Sequence, residues 1–227
     1  MFSEFEDTIN YKFKDKSLLK QAFTHSSYAH EEKMDYLNNN ERLEFLGDAV
    51  LELTVSHYLY DNFPDMSEGD LTKFRANVVC ETSLAKGATT LKIGKFVLLS
   101  RGEEQTGGRE RASILSDVFE AVIGAIYLDG GQEKAREFIM SILQKYIVDI
   151  RSNFHASDYK THLQELIQKT SKEPIKYSII KEEGPDHNKI FTANVVHGSK
   201  ILGSGKGKSK KEAEQKAASI ALKGISN

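Results

Sequence analysis

Two helical stretches of this chain place acids where an apolar helix should tolerate none. The run Ile114-Leu-Ser-Asp-Val-Phe-Glu-Ala-Val-Ile-Gly-Ala-Ile-Tyr-Leu128 is apolar almost all round, the pattern of a helix enclosed by protein. Asp117 and Glu120 lie inside it, three apart and so on one face. A second stretch has apolar residues at helical spacing, Leu43, Leu46, Val50, Leu53 and Leu59, and carries Glu41, Glu44 and Asp48. At 3.6 residues per turn these three acids fall within about 60° of one another. An ionised carboxylate in apolar surroundings is unfavourable unless it is paired or holds a metal. If the two helices face each other, Glu44, Asp48, Asp117 and Glu120 converge. Four acids at one point repel, so at least one pKa rises unless a cation arrives.

Oxygen-only ligation with room for water suits Mg²⁺ or Mn²⁺ rather than Zn²⁺. No histidine pair has helical zinc spacing, since His25, His30 and His57 are 5 and 27 residues apart. The single Cys80 excludes a disulfide framework and a cysteine zinc cluster. A divalent ion can activate water and stabilise the charge leaving a phosphate, which is phosphodiester hydrolysis without a protein nucleophile. On spacing alone a second reading stays open. The acids could instead pair with Arg42, Arg75, Arg109 or Arg111, or cap helix ends, and Glu52 on the same face reads as an ordinary acid.

The chain of 227 residues divides near residue 155. Lys16 to Ile150 reads as mostly helical. Asn40 is placed to cap the helix that begins at Glu41, Phe63–Gly69 is a loop, and Leu71 to Thr90 is one helix. Arg101–Arg109 reads as a polar, mobile loop. A buried helix follows from Ser113 to Leu128, stopped by Asp129-Gly130-Gly131, and a last one runs from Gln132 to Ile150. Residues 151–157 suit a linker. Beyond them the pattern changes to a helix over Asp158–Thr170, strands near Ile175–Lys181, Lys189–His197 and Lys200–Ser204, and a helix over Lys210–Lys223. The expected fold is an all-α domain (1–150) followed by a small α/β domain of order α-β-β-β-α (158–227). Residues 1–157 carry 18 Lys+Arg against 25 Asp+Glu, a net of −7; residues 158–227 carry 13 Lys against 8 acids, a net of +5; together they give the chain's −2. A basic domain on an acidic body points to a polyanionic partner. The longest apolar stretch, Ala121 to Leu128, is too short for a membrane span, and the charged start has no export signal, so the expectation is a soluble cytoplasmic protein.

The stretch Asn39-Asn-Glu-Arg-Leu-Glu-Phe-Leu-Gly-Asp-Ala-Val-Leu51 resembles the signature of the ribonuclease III family, and Ile114 to Gly130 resembles its second characteristic block. The C-terminal third is similar to a double-stranded RNA-binding domain. The resemblance implies a helical endonuclease domain that works as a homodimer and cuts both strands of double-stranded RNA. It implies 5′-phosphate and 3′-hydroxyl ends with short 3′ overhangs, and roles in ribosomal RNA precursor processing and message processing or decay. It places the metal ligands on Glu44, Asp48, Asp117 and Glu120, for Mg²⁺ with Mn²⁺ able to substitute and no small-molecule cofactor. Glu41 and Glu68 match two further acids near the cleavage site, and Phe45 matches a position at the dimer interface. Ser116 stands where many relatives have Ala.

For the second domain the resemblance implies shape reading rather than sequence reading. Duplex RNA offers side chains a wide minor groove lined with 2′-hydroxyls. Thr161, Gln164 and Glu165 are expected at one minor groove and His187 at the next, with Lys208, Lys210 and Lys211 on the phosphates between. Those lysines are expected where a Gly-rich loop enters the last helix, and Tyr159 and Leu163 in the core.

Overall fold

The computed structural model describes residues 2–157, 159–171, 173–185 and 189–225, and two compact units divide between Ile150 and Arg151. Unit 1 is helical. Its elements are α1 (Ser3–Ile9), α2 (Lys16–Ala22), α3 (Ser26–Glu31), α4 (Glu41–Asn62), α5 (Glu68–Val78), α6 (Glu81–Thr90), α7 (Arg101–Gln105) and, as far as Ile150, α8 (Ala112–Ser157). Helix α8 explains the rest. Val118, Phe119, Ala121, Val122, Ile123, Ala125 and Ile126 have no solvent exposure, so the all-round apolar run is the central rod of the core. Helix α4 buries a face of Leu43, Gly47, Val50, Leu51, Thr54, Val55 and Leu59, and it meets α8 at Leu43 and Gly47.

Gly131 breaks α8 as Asp129-Gly130-Gly131 suggested, with φ 82° and ψ 179°, and the helix then continues through residues 151–157. Asp129 does more than stop a helix. It accepts hydrogen bonds from the Tyr11 hydroxyl (2.6 Å) and the backbone N–H groups of Lys14 (3.0 Å) and Asp15 (2.8 Å), pinning the segment between α1 and α2.

Three sequence expectations change. Leu71–Thr90 is two helices, because Cys80 is extended (φ −70°, ψ 153°) and the first helix already begins at Glu68, capped by Ser67. Arg101–Arg109 is ordered. Helix α7 is capped by Ser100, and the Arg109 guanidinium donates to the carbonyls of Gly94 and Val97 at 2.8 Å each, which ties the segment to the body. Asn40 does not cap α4 with its side chain; Asn39 Oδ1 takes the Glu41 N–H instead, at 3.1 Å.

Unit 2 has α9 (Tyr159–Gln168), an antiparallel sheet of order β1-β2-β3 (Ile175–Glu183, Ile190–His197, Lys200–Gly207) and α10 (Lys210–Ile225). Leu163, Val195, Ala217, Ala218 and Ala221 form its core, with Tyr159 packed against them. The glycines before α10 are strand, not loop. Gly203, Gly205 and Gly207 pair with β2, and a Cβ on Gly205 would sit 2.3 Å from the Ala217 nitrogen. Glycine in alternate positions lets the Ala-rich face of α10 lie directly on the β3 backbone.

Candidate functional site

The two acid-bearing helices do meet, and glycine decides how closely. A Cβ on Gly47 would stand 1.8 Å from the Glu120 carbonyl oxygen, and one on Gly124 would stand 2.2 Å from the Leu43 carbonyl oxygen. Helices α4 and α8 therefore cross backbone to backbone. Glu44 and Asp48 leave α4 on either side of Gly47, and Asp117 and Glu120 leave α8 just before Gly124. Neither glycine was singled out in the sequence, although each sits inside its motif at a fixed offset from the acids.

Carboxylate oxygens of Glu44, Asp117 and Glu120 lie within 4.8 Å of one another, all three residues half-buried. Asp48 is exposed and stays outside that tight trio, but among the charges it acts most strongly on Glu120. Burial first, then Asp48, Glu44, Asp117 and Glu52, push Glu120 up to about 8. Burial raises Glu44 as well, helped by Asp117, Glu41 and Asp48. Asp117 is raised by burial and by Glu81, against the Ser116 hydroxyl and His25, which lower it. Ser116 Oγ lies 3.4 Å from Asp117 Oδ1. Glu41 thus belongs to the surroundings of the site, and Glu52, Glu81 and His25 join it without having been foreseen as site residues. His25 caps α3, its Nδ1 taking the Ser27 N–H at 3.2 Å.

Arginine does not neutralise the acids. Arg109 pairs with Glu104, Arg111 with Glu103, and Arg75 donates to Ser56 Oγ at 2.9 Å. Among the described residues none of the four acids has a cationic partner. The close-set trio is a candidate donor set for a hard divalent ion, whose charge would favour the ionised carboxylates.

Glu68 is not brought to the trio. It starts α5, accepts from Thr72 Oγ1 at 3.1 Å, and lines a groove of about 630 Å³ beside α4 with Leu53, His57, Tyr60, Met66 and Leu71. Phe45 is 81% exposed, so it is not core. With Leu53 and Tyr60, also exposed, it makes an apolar stripe along α4.

In unit 2, Gln164 and Glu165 are exposed on α9 with Thr161 half-buried, and the core contact of that helix is Leu163. Lys208, Lys210 and Lys211 are exposed at the start of α10. The turn is fixed by Glu212, whose carboxylate accepts the Lys208 N–H (2.7 Å) while its own N–H reaches Ser209 Oγ (3.2 Å). Lys210 Nζ is 3.3 Å from Glu182 and 5.8 Å from the Phe191 ring centre. His187 lies outside the described residues.

Residues 15–147 match the family model described as ribonuclease-III-like, and residues 159–225 match the double-stranded RNA binding motif. The chain belongs to the ribonuclease III family. A ribonuclease 3 of Desulforamulus reducens is 53% identical over 214 residues, covering 94% of this chain and 87% of the relative. One from Bacillus cereus is 54% identical over 222 residues, covering 98% and 90%. The solved nuclease domain of a Campylobacter jejuni ribonuclease III, from work on a region involved in dimer formation, matches with a TM-score of 0.60 and 48% identity over 64% of this chain and 97% of that one. The family's two parts thus correspond to the helical unit with the acids and to the unit with the lysines. Among the described residues no helix is long and apolar enough to cross a membrane.

Proposed function

We propose that the protein is a divalent-metal-dependent endoribonuclease that hydrolyses both strands of double-stranded RNA, leaving 5′-phosphates, 3′-hydroxyls and short 3′ overhangs. Glu44, Asp48, Asp117 and Glu120 hold the ion, naturally Mg²⁺ with Mn²⁺ as a substitute. The observation that carries this reading is the trio of half-buried carboxylates without a cationic partner, in one chain with a double-stranded RNA binding motif. A bound divalent ion supplies the water activation and charge stabilisation that phosphoryl transfer needs. The chain's own acids would hold that ion at the α4–α8 crossing, where burial and the neighbouring carboxylates push Glu120 up to about 8. Glu41 adds negative field beside Glu44.

Thr161, Gln164 and Glu165 face a minor groove, and Lys208, Lys210 and Lys211 meet the phosphates beside it, so recognition follows duplex shape. His187 serves the second minor groove. Two copies act together. The exposed Phe45 on α4 and the apolar groove beside the same helix are the surfaces through which the two copies meet. Glu68, in that groove, then serves the cleavage site from a dimer contact rather than from within the trio. Cytoplasmic processing of ribosomal RNA precursors and messages is the matching role.

The test is Glu120→Ala with duplex RNA and Mg²⁺. Cleavage should be lost while a gel shift shows wild-type binding. Cleavage at the normal rate would remove Glu120 from the ligand set; a wild-type chain that holds duplex RNA intact in Mg²⁺ would make the protein a binder instead.

A further inference from the structure

Two neighbouring residues of α10 grip one residue of α9. Gln215 is only 7% exposed, and its side-chain Oε1 accepts the Lys160 N–H at 3.1 Å. Glu214 takes the other end of the same residue, its carboxylate 2.7 Å from Lys160 Nζ. That ammonium also lies 4.3 Å from the centre of the Tyr177 ring on β1. The first N–H groups of a helix have no partner within it, so a side-chain acceptor there fixes the helix end. Here the acceptor comes from another helix, 55 residues further along the chain. The residue after Lys160 is Thr161, and Gln164 follows one turn later. The same stretch of α10 holds the lysine turn, since Glu212 accepts the Lys208 N–H at 2.7 Å. Residues 212–215 therefore tie down both segments that the proposed function lays on RNA, α9 and the turn of Lys208, Lys210 and Lys211.

We infer that Gln215 and Glu214 are positioning residues for duplex RNA. They hold α9 at the distance from the lysine turn that an A-form duplex requires, and unit 2 prefers RNA to DNA because that distance is fixed. Reading by shape needs a rigid gauge, since minor-groove side chains reach 2′-hydroxyls only if the phosphate contacts stand at the matching spacing. A loosened α9 keeps the phosphate contacts, which RNA and DNA share, and loses the contacts to 2′-hydroxyls, which only RNA offers. The two residues act through α9 and not on RNA itself. The inference rests on the proposed RNA contacts of α9 and the lysines.

The experiment measures the affinity of the full chain for a duplex RNA and for a DNA duplex of the same sequence, by gel shift in chelator so that nothing is cut. The readout is the ratio of the two affinities. A smaller folded fraction would not move it, because both affinities would weaken alike. Gln215→Met keeps the length of the side chain and removes the acceptor. It should weaken RNA binding about 5-fold, the size of a lost helix cap, and leave DNA binding within about 2-fold, so that the preference for RNA falls. Lys160→Met removes the ion pair and should act in the same direction. Lys160→Arg keeps a cation for Glu214 and the Tyr177 ring and should restore the preference. The Lys160 pair decides the matter if Gln215→Met melts below the assay temperature. A ratio at the wild-type value in folded Gln215→Met or in Lys160→Met, or one that Lys160→Arg does not restore, would overturn the positioning role and leave the RNA contacts standing. A wild-type chain with no preference for RNA over DNA would overturn the proposed RNA contacts and this inference together.

Discussion

Gly47→Ala tests whether the α4–α8 crossing creates the site. The added methyl would lie 1.8 Å from the Glu120 carbonyl oxygen, where ordinary contact begins at 3.4 Å. The obstacle is backbone in a buried helix, so no rotamer change relieves it, and the helices must part by about 1.6 Å at that contact. Alanine is the better helix former by about 1 kcal/mol, which works against the clash. Overpacking a tight core costs about 1–3 kcal/mol, and more when the obstacle is rigid, so the net loss should be about 2 kcal/mol. For a unit of this size that lowers the melting temperature by roughly 5 °C. The effect on the site is larger. An ion with bonds of about 2.1 Å holds opposite oxygens about 4.2 Å apart at most. The trio's oxygens lie within 4.8 Å of one another and can close onto it; moved apart by a further 1.6 Å or so they cannot. Cleavage of duplex RNA should fall by about 100-fold or more, while gel-shift affinity, carried by the other unit, stays at wild type. Gly102→Ala is the control, because a Cβ there meets nothing within 4 Å. A Gly47→Ala chain that melts and cuts like wild type would refute the crossing as the origin of the site.

Glu120 is raised from its ordinary 4.5 to about 8, so the folded metal-free chain holds a proton that the unfolded chain releases. Its contribution is full below about pH 4.5, declines as pH rises towards 8 and is flat above that. The ceiling is about 5 kcal/mol, reduced to about 2 kcal/mol by partial solvent access, so wild type should lose stability between pH 5 and 8 relative to Glu120→Gln in metal-free melting; parallel curves would contradict the shift. Removal of divalent ions with a chelator should abolish cleavage and spare duplex binding, read by gel assay with and without Mn²⁺. Lys210→Ala with Lys211→Ala should flatten the salt dependence of RNA affinity by about 1.5 in log–log slope; an unchanged slope would take both lysines off the phosphates. Phe45→Asp should shift sedimentation from dimer to monomer, and an unshifted dimer would free that stripe from the interface.

The helices and the acids were legible because their signals are local. Period and composition mark α4 and the central run of α8, and the acids stand out against that apolar background. The order α-β-β-β-α was legible for the same reason. What escaped depended on contacts remote in sequence. Arg109 orders the segment around α7 by reaching Gly94 and Val97, so a polar Gly-rich stretch that looks like loop is folded. The glycines of β3 read as a loop until α10 is seen lying on them. Asn39 and Asn40 are equally good caps by type, and only the folded backbone shows that Asn39 takes the Glu41 N–H.

By itself the sequence determined where acids interrupt two apolar helices and on which helix faces they stand, since identity and periodicity are properties of the chain alone. Only the tertiary structure decided that Glu44, Asp117 and Glu120 come within 4.8 Å while Asp48 remains exposed and Glu68 lies in another groove. The physical reason is that side-chain spacing across two helices is set by how closely their backbones approach, and that approach is fixed by the absence of two methyl groups, at Gly47 and Gly124.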